Sequence, residues 1–223
     1  MIFLIHKYIN LTITSKLIMI DLEKLELQLK KRLKYPYTWG RKQADDWDKM
    51  TNFIYEIRRF SDLEVMISNL SPELKNYALN RWLNFWSAKG IEQIFTSQQN
   101  VVANKNEYDK LVDFTINGIP FDHKTSVFPK GFKKDFNYAY QNKRELIQWF
   151  YDEQSQQGRK HLKNRLFVVL FDRNSLEYWK LKVEISFIKQ QIEQYITNFS
   201  LNKLERFNFE NEEILSDVIW IIK

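Results

Sequence analysis

The dipeptide Asn117-Gly118, set between the runs KLVDFTI and IPFDHKTSV, constrains this chain more than any other feature. A two-residue hairpin loop of the favoured kind needs positive φ at both central positions, which asparagine and glycine tolerate best. If those two residues form the loop, the register follows. Ile116 faces Ile119, Thr115 faces Pro120, Phe114 faces Phe121, and Asp113 faces Asp122. Alternation along the strands then puts Val112, Phe114, Ile116, Ile119 and Phe121 on an apolar face, with His123 beside them as a core histidine. The opposite face receives Asp113, Thr115, Asp122, Lys124 and Ser126. Pro120 lacks an N–H, so its nitrogen has to point away from the first strand.

Two aspartates facing one another across a sheet stand roughly 5 Å apart, and like charges there are destabilising. A cation between them, protonation of one, or full solvation of both relieves the repulsion. A hard cation such as magnesium takes oxygen ligands and keeps several waters. Lys124 projects from the same face as Asp122. Such a group can hold a metal, offer a metal-bound water and set an ammonium against charge developing on phosphorus. The plainer reading is two solvated carboxylates with Lys124 as an ion-pair partner, worth well under about 1 kcal/mol.

The surrounding pattern is α/β. Residues 21–34 carry leucines at amphipathic spacing and end before Pro36. QADDWDKMTNFIYEIRRF places Trp47, Met50, Ile54 and Ile57 at helical intervals. Ser71-Pro72 reads as an N-cap followed by proline at the first helical position, and the helix it opens carries Tyr77, Trp82, Phe85 and Trp86 into a core before ending near Gly90 or Phe95. QQNVVA suits a short strand. Residues 141–157 suit a helix, the apolar run 164–172 a buried strand, 177–185 a further strand, and 186–197 a last helix. The order from residue 71 is helix, three strands, helix, strand. YPYTWGRKQADDWD (35–48) packs aromatics with Arg41 and Lys42, either to anchor the N-terminal helices or to touch nucleic acid.

Composition narrows the choice. Apolar residues reach 44% and aromatics 16%, enough for a packed core. There is no cysteine, which excludes disulfides, thiolate metal sites and cysteine nucleophiles and suits a reducing, cytoplasmic setting. The apolar N-terminus MIFLIHKYINLTITSKLIMI is broken by His6, Lys7, Asn10 and Lys16, and its leading apolar run is far short of the roughly 20 residues of a spanning helix, so no membrane partner is expected. His6 and His161 have no companion at metal-ligand spacing. Net charge is +6, and the whole excess lies between Lys124 and Arg165, where basic residues outnumber acidic ones ten to four. A stretch of that kind suits a polyanion such as DNA, although a solvated helix face and loops would look the same.

The hairpin carrying Val112-Asp113, then Asp122-His123-Lys124 after eight intervening residues, behind a helix and ahead of a helix–strand pair, resembles the PD-(D/E)XK nuclease superfamily. The resemblance spans roughly residues 71–172, with Val112 where proline is usual and Asp122 where glutamate is commoner. It implies a restriction-endonuclease-like αβββαβ core, with a mixed central sheet flanked by helices, within a domain at 71–223. Residues 1–70 would form a mainly helical N-terminal extension packed on that core. It further implies a magnesium-dependent endonuclease that hydrolyses DNA with a metal-activated water, manganese substituting. Asp113 and Asp122 would ligate the metal with the His123 backbone carbonyl, and Glu92 on the preceding helix is the candidate for a further acidic ligand. Lys124 would orient the water and stabilise the transition state. Lys130, Lys133, Lys134, Lys143 and Arg144 are the expected phosphate contacts, and a homodimer is the expected form for cutting two strands. The alternative from another class is a catalytically inactive nucleic-acid-binding or scaffolding member of the same fold.

Overall fold

A computed structural model describes residues 19–39, 46–106, 109, 111–154, 162–209 and 212–223 of the 223-residue chain. The N-terminal apolar run up to residue 18, Arg41, Lys42 and His161 lie outside the described residues. Three helices come first: α1 (Leu22–Lys31), α2 (Asp46–Met50) and α3 (Phe60–Ile67). The long α4 (Pro72–Thr96) follows, its Ser71 hydroxyl accepting the Leu74 N–H and Pro72 opening the first turn. Strands β1 (Val101–Ala103), β2 (Phe114–Ile116) and β3 (Ile119–Val127) come next, then α5 (Phe136–Gln141), α6 (Lys143–Gln154) and β4 (Arg165–Phe171). Helix α7 (Ile185–Thr197) and strands β5 (Glu205–Phe209) and β6 (Glu212–Ile222) complete the chain.

The six strands form one open mixed sheet in the order β1-β2-β3-β4-β6-β5. β3 pairs parallel with β4, and β4 with β6; the other neighbours are antiparallel. Helices cover both faces. On one side Leu25, Leu29, Leu63, Trp82, Ile94, Ile188 and Ile192 pack on Phe114, Phe121, Leu166 and Val168. On the other, Leu146, Ile147 and Phe150 meet Phe128, Phe167, Val169 and Val218. The N-terminal helices are therefore part of the main core. Gly90 permits their approach, since a Cβ there would come within 2.8 Å of a Leu25 methyl. Aromatic anchoring also holds the 35–39 segment: Tyr37 stacks on Trp179 at 4.6 Å, and Trp39 meets Tyr77 edge-on.

The hairpin turn forms as its sequence requires, with Asn117 at φ 50° and Gly118 at φ 82°. Its ladder pairs Ile116 with Ile119, Thr115 with Pro120 and Phe114 with Phe121. Pro120 causes no loss on the far side of β3, because pairing with β4 begins only at Asp122.

Three expectations are corrected. Residues 177–185 do not form a strand: Tyr178–Val183 is a 3₁₀ helix. The place beside β4 is taken by the C-terminal strand β6, and the alternating apolar side chains are buried by packing instead, with Leu181 and Val183 in the core. The periodic segment after residue 46 is not one helix. It stops at Met50 and resumes as a 3₁₀ turn (Asn52–Tyr55), because buried Arg81 claims the Asp48 carbonyl at 2.6 Å and the Thr51 hydroxyl at 2.5 Å. Strand β2 begins at Phe114, later than the KLVDFTI run suggested, for a reason that bears on the site.

Candidate functional site

Asp113 departs from the ladder. Its N–H donates to the Phe121 carbonyl at 2.9 Å, so Asp113 and Phe114 together stand against Phe121. Two residues facing one is the arrangement of a β-bulge, which re-aims the side chain at the bulge and ends regular pairing. The Asp113 carboxylate consequently turns to His123. Its Oδ2 accepts the His123 backbone N–H at 2.8 Å and the ring Nδ1 at 2.7 Å. The imidazole is buried between Phe95 and Phe114, with ring centroids 5.9 and 6.0 Å away. His123 is thus a satisfied core histidine whose partner is the aspartate assigned to the opposite face. Burial pushes Asp113 upward, but the hydrogen bonds and charge of His123, with Lys124 behind them, outweigh it and bring the carboxyl down to about 2.

Asp122 lies on β3 and is buried at 3% exposure, so it needs partners. It has two cations. Lys124 Nζ donates to Oδ1 at 2.7 Å and Arg165 Nε to Oδ2 at 3.0 Å. Arg165 opens β4 and faces Asp122 directly in the parallel register. Burial raises the Asp122 carboxyl above the ordinary aspartate value and the charge of Asp113 adds to the rise, which Lys124 and Arg165 offset only in part. Asp113, Asp122 and Lys124 therefore sense one another's charge, yet each carboxylate has its own hydrogen-bonding partner. The expected symmetric pair on one face is replaced by two separately anchored carboxylates.

A further layer supports Asp122. Its N–H donates to the Asn164 carbonyl, and the Asn164 side chain bridges the Pro120 carbonyl at 3.0 Å and the Leu215 N–H at 2.8 Å. Tyr151 lies 5.4 Å from the Arg165 guanidinium and donates to the Lys163 carbonyl, while the Ser216 hydroxyl donates to the Arg165 carbonyl. Sequence reasoning assigned no role here to Arg165, Asn164, Tyr151 or Ser216. The one available signal was a charge heading the buried run 164–172, because a cation entering a sheet demands a counter-charge on a neighbouring strand.

The remaining candidates divide. Glu92 pairs with Lys89 at 2.7 Å and lines a cavity of about 470 Å³ with Arg58, Trp86 and Asn104; it makes no contact with Asp113 or Asp122. Asn104 joins the two regions, since its N–H donates to the Asp113 carbonyl. Lys130, Lys133 and Lys134 are exposed after β3, with Lys134 over the Tyr138 ring at 5.0 Å. Lys143 and Arg144 are engaged within the protein. Lys143 bonds Asp217 and the Lys203 carbonyl, both at 2.8 Å, and Arg144 bonds the Arg206 carbonyl at 2.8 Å and Glu205 at 3.4 Å.

Among the described residues no three acidic or histidine side chains gather closely enough to cage an ion. Magnesium, however, is commonly held by one or two carboxylates together with water and substrate phosphates. Asp113 Oδ1 has no hydrogen-bond partner among the described residues, and hard carboxylate oxygens are the donor type such an ion takes. Asp113 and Asp122 fit that requirement, with Lys124 and Arg165 as competitors at Asp122. Also among the described residues, no helix is long and apolar enough to cross a membrane. Comparison with family models, with curated proteins and with solved structures gave no match to this chain.

Proposed function

We propose that this chain is a magnesium-dependent endonuclease of the restriction-endonuclease-like kind, hydrolysing DNA phosphodiester bonds. The observation that carries the reading is the placement of Asp113 at a bulge beside Asp122 and Lys124 on β3, behind the long helix α4 and ahead of a helical crossover to a parallel strand. Asp113 and Asp122 are the residues that would hold the ion. Bound magnesium supplies a water of lowered pKa and neutralises charge on the phosphate.

The chain's own groups have distinct tasks. His123 fixes the Asp113 carboxylate through two donors, leaving Oδ1 available. Asn164 and Arg165 fix the strand and carboxylate of Asp122. The Lys124 side chain is 43% exposed, which allows its ammonium to leave Asp122 and face the phosphoryl oxygens as charge develops there. Water oxygen bonds to phosphorus and releases a proton to solvent as the P–O ester bond breaks, and the departing oxygen takes a proton from solvent. Exposed Lys130, Lys133 and Lys134 would bear on the DNA backbone, giving affinity that falls steeply with salt.

A second reading, an inactive nucleic-acid-binding member of the same fold, is favoured by one observation: Arg165 already neutralises Asp122. A cleavage assay on plasmid and branched DNA with magnesium, manganese or chelator separates the two. Metal-dependent cutting that disappears in Asp122→Ala and Lys124→Ala supports the nuclease; DNA binding without cutting under every condition supports the inactive member.

A further inference from the structure

Asp122 is gripped by two cations of different character. The Lys124 side chain is open to solvent, at 43% exposure. Arg165 is not: its side chain is 6% exposed and that of Asp122 is 5% exposed, so this ion pair is almost wholly out of water. The strand register places the two residues side by side, and Tyr151 and Ser216 pack and bond around Arg165. An ion pair removed from water is retained at a large desolvation cost, and breaking it by removing one partner leaves a buried uncompensated charge. The Asp122 carboxylate thus has one ammonium and one guanidinium as hydrogen-bonded partners before any ion enters. A divalent cation would bring two further positive charges to a carboxylate that two cations already hold.

We propose that Arg165 is a built-in counter-ion that occupies Asp122 in place of a divalent cation, so that the site retains such a cation only together with an anionic phosphodiester supplying the balancing charge. The inference rests on reading Asp113 and Asp122 as the ion-holding pair. Arg165 acts through Asp122 and is a positioning residue. Its effect is on affinity: it stabilises the ion-free site, and a cation has to compete with it for Asp122 Oδ2. Magnesium alone then binds weakly, and DNA and magnesium strengthen one another's binding by equal factors, as linkage requires.

The test is calorimetric titration of magnesium and manganese into the full chain, alone and with a phosphorothioate DNA duplex that resists cleavage. Wild type, Arg165→Gln, Arg165→Lys and Asp122→Asn are compared. Arg165→Gln is expected to bind the ion alone roughly 10- to 100-fold more tightly than wild type, a coupling of the usual size between linked sites. The gain on adding DNA should be smaller in that variant than in wild type, and Arg165→Lys should behave as wild type. Thermal unfolding gives an independent readout: Arg165→Gln should melt low in chelator and recover with magnesium, whereas wild type barely responds. Equal ion affinity in Arg165→Gln and wild type overturns the proposal. So does tight ion binding by wild type without DNA, a result that holds even if Arg165→Gln does not fold. Absence of ion binding in every protein, with DNA present, overturns the nuclease reading itself.

Discussion

The Asp113 carboxylate takes two hydrogen bonds from one residue, the backbone N–H of His123 at 2.8 Å and its ring Nδ1 at 2.7 Å. A ladder bond that the bulge would leave unmade is thereby replaced by a side-chain acceptor, and a buried imidazole gains its partner in the same contact. The relationship makes the site's first carboxylate rigid and gives it a pH signature.

Asp113 is held at about 2, below the ordinary aspartate value of 3.8. A depressed carboxyl contributes stability that is fully present above the ordinary value and is lost as pH falls through the folded one. Wild type should therefore lose stability between about pH 4 and pH 2, by roughly 2 kcal/mol from this group. In His123→Phe the loss over that window should shrink, and stability at neutral pH should fall by about 2 kcal/mol, the usual scale for a hydrogen bond to a charged group. Urea titrations across pH measure both; an unchanged acid limb in His123→Phe contradicts the assignment.

Lys124→Ala should remove metal-dependent cleavage while leaving the fold intact. Its ion pair with Asp122 is partly solvated at the lysine, so its stability contribution should stay within about 1 kcal/mol. Single-turnover cleavage alongside thermal unfolding checks this. Full cleavage by Lys124→Ala would remove the nuclease assignment.

The basic residues should separate into two behaviours. Lys143→Ala takes a partner from buried Asp217, which also accepts the Tyr195 hydroxyl at 3.0 Å, and should cost about 1–3 kcal/mol of stability with little change in DNA affinity. Lys130→Ala and Lys133→Ala should leave stability unaltered, weaken DNA binding, and each reduce the slope of log affinity against log salt by about one. Fluorescence anisotropy over a salt series distinguishes them.

Gly118→Ala tests the turn. Nothing lies within 4 Å of a Cβ built there, so the cost is purely conformational at φ 82° and should be about 1–2 kcal/mol by urea denaturation. A neutral result would mean that the turn does not set the register.

Local chemistry made much of this protein legible. Asn117-Gly118 determined the hairpin and its three pairs, because only such residues accept two successive positive φ values. Ser71-Pro72 fixed the start of α4, and the apolar runs gave most helices and the central strand. Tertiary structure decided the rest. Whether 177–185 joined the sheet depended on β6, which comes later in the chain and took the place beside β4. The bulge at Asp113 turned its carboxylate to His123, ten residues away in the chain, and Arg165 reached Asp122 only because parallel pairing across the helical crossover set the two side by side. Periodicity and turn preference are properties of a few adjacent residues, whereas strand competition and buried charge pairing join residues that are distant in sequence.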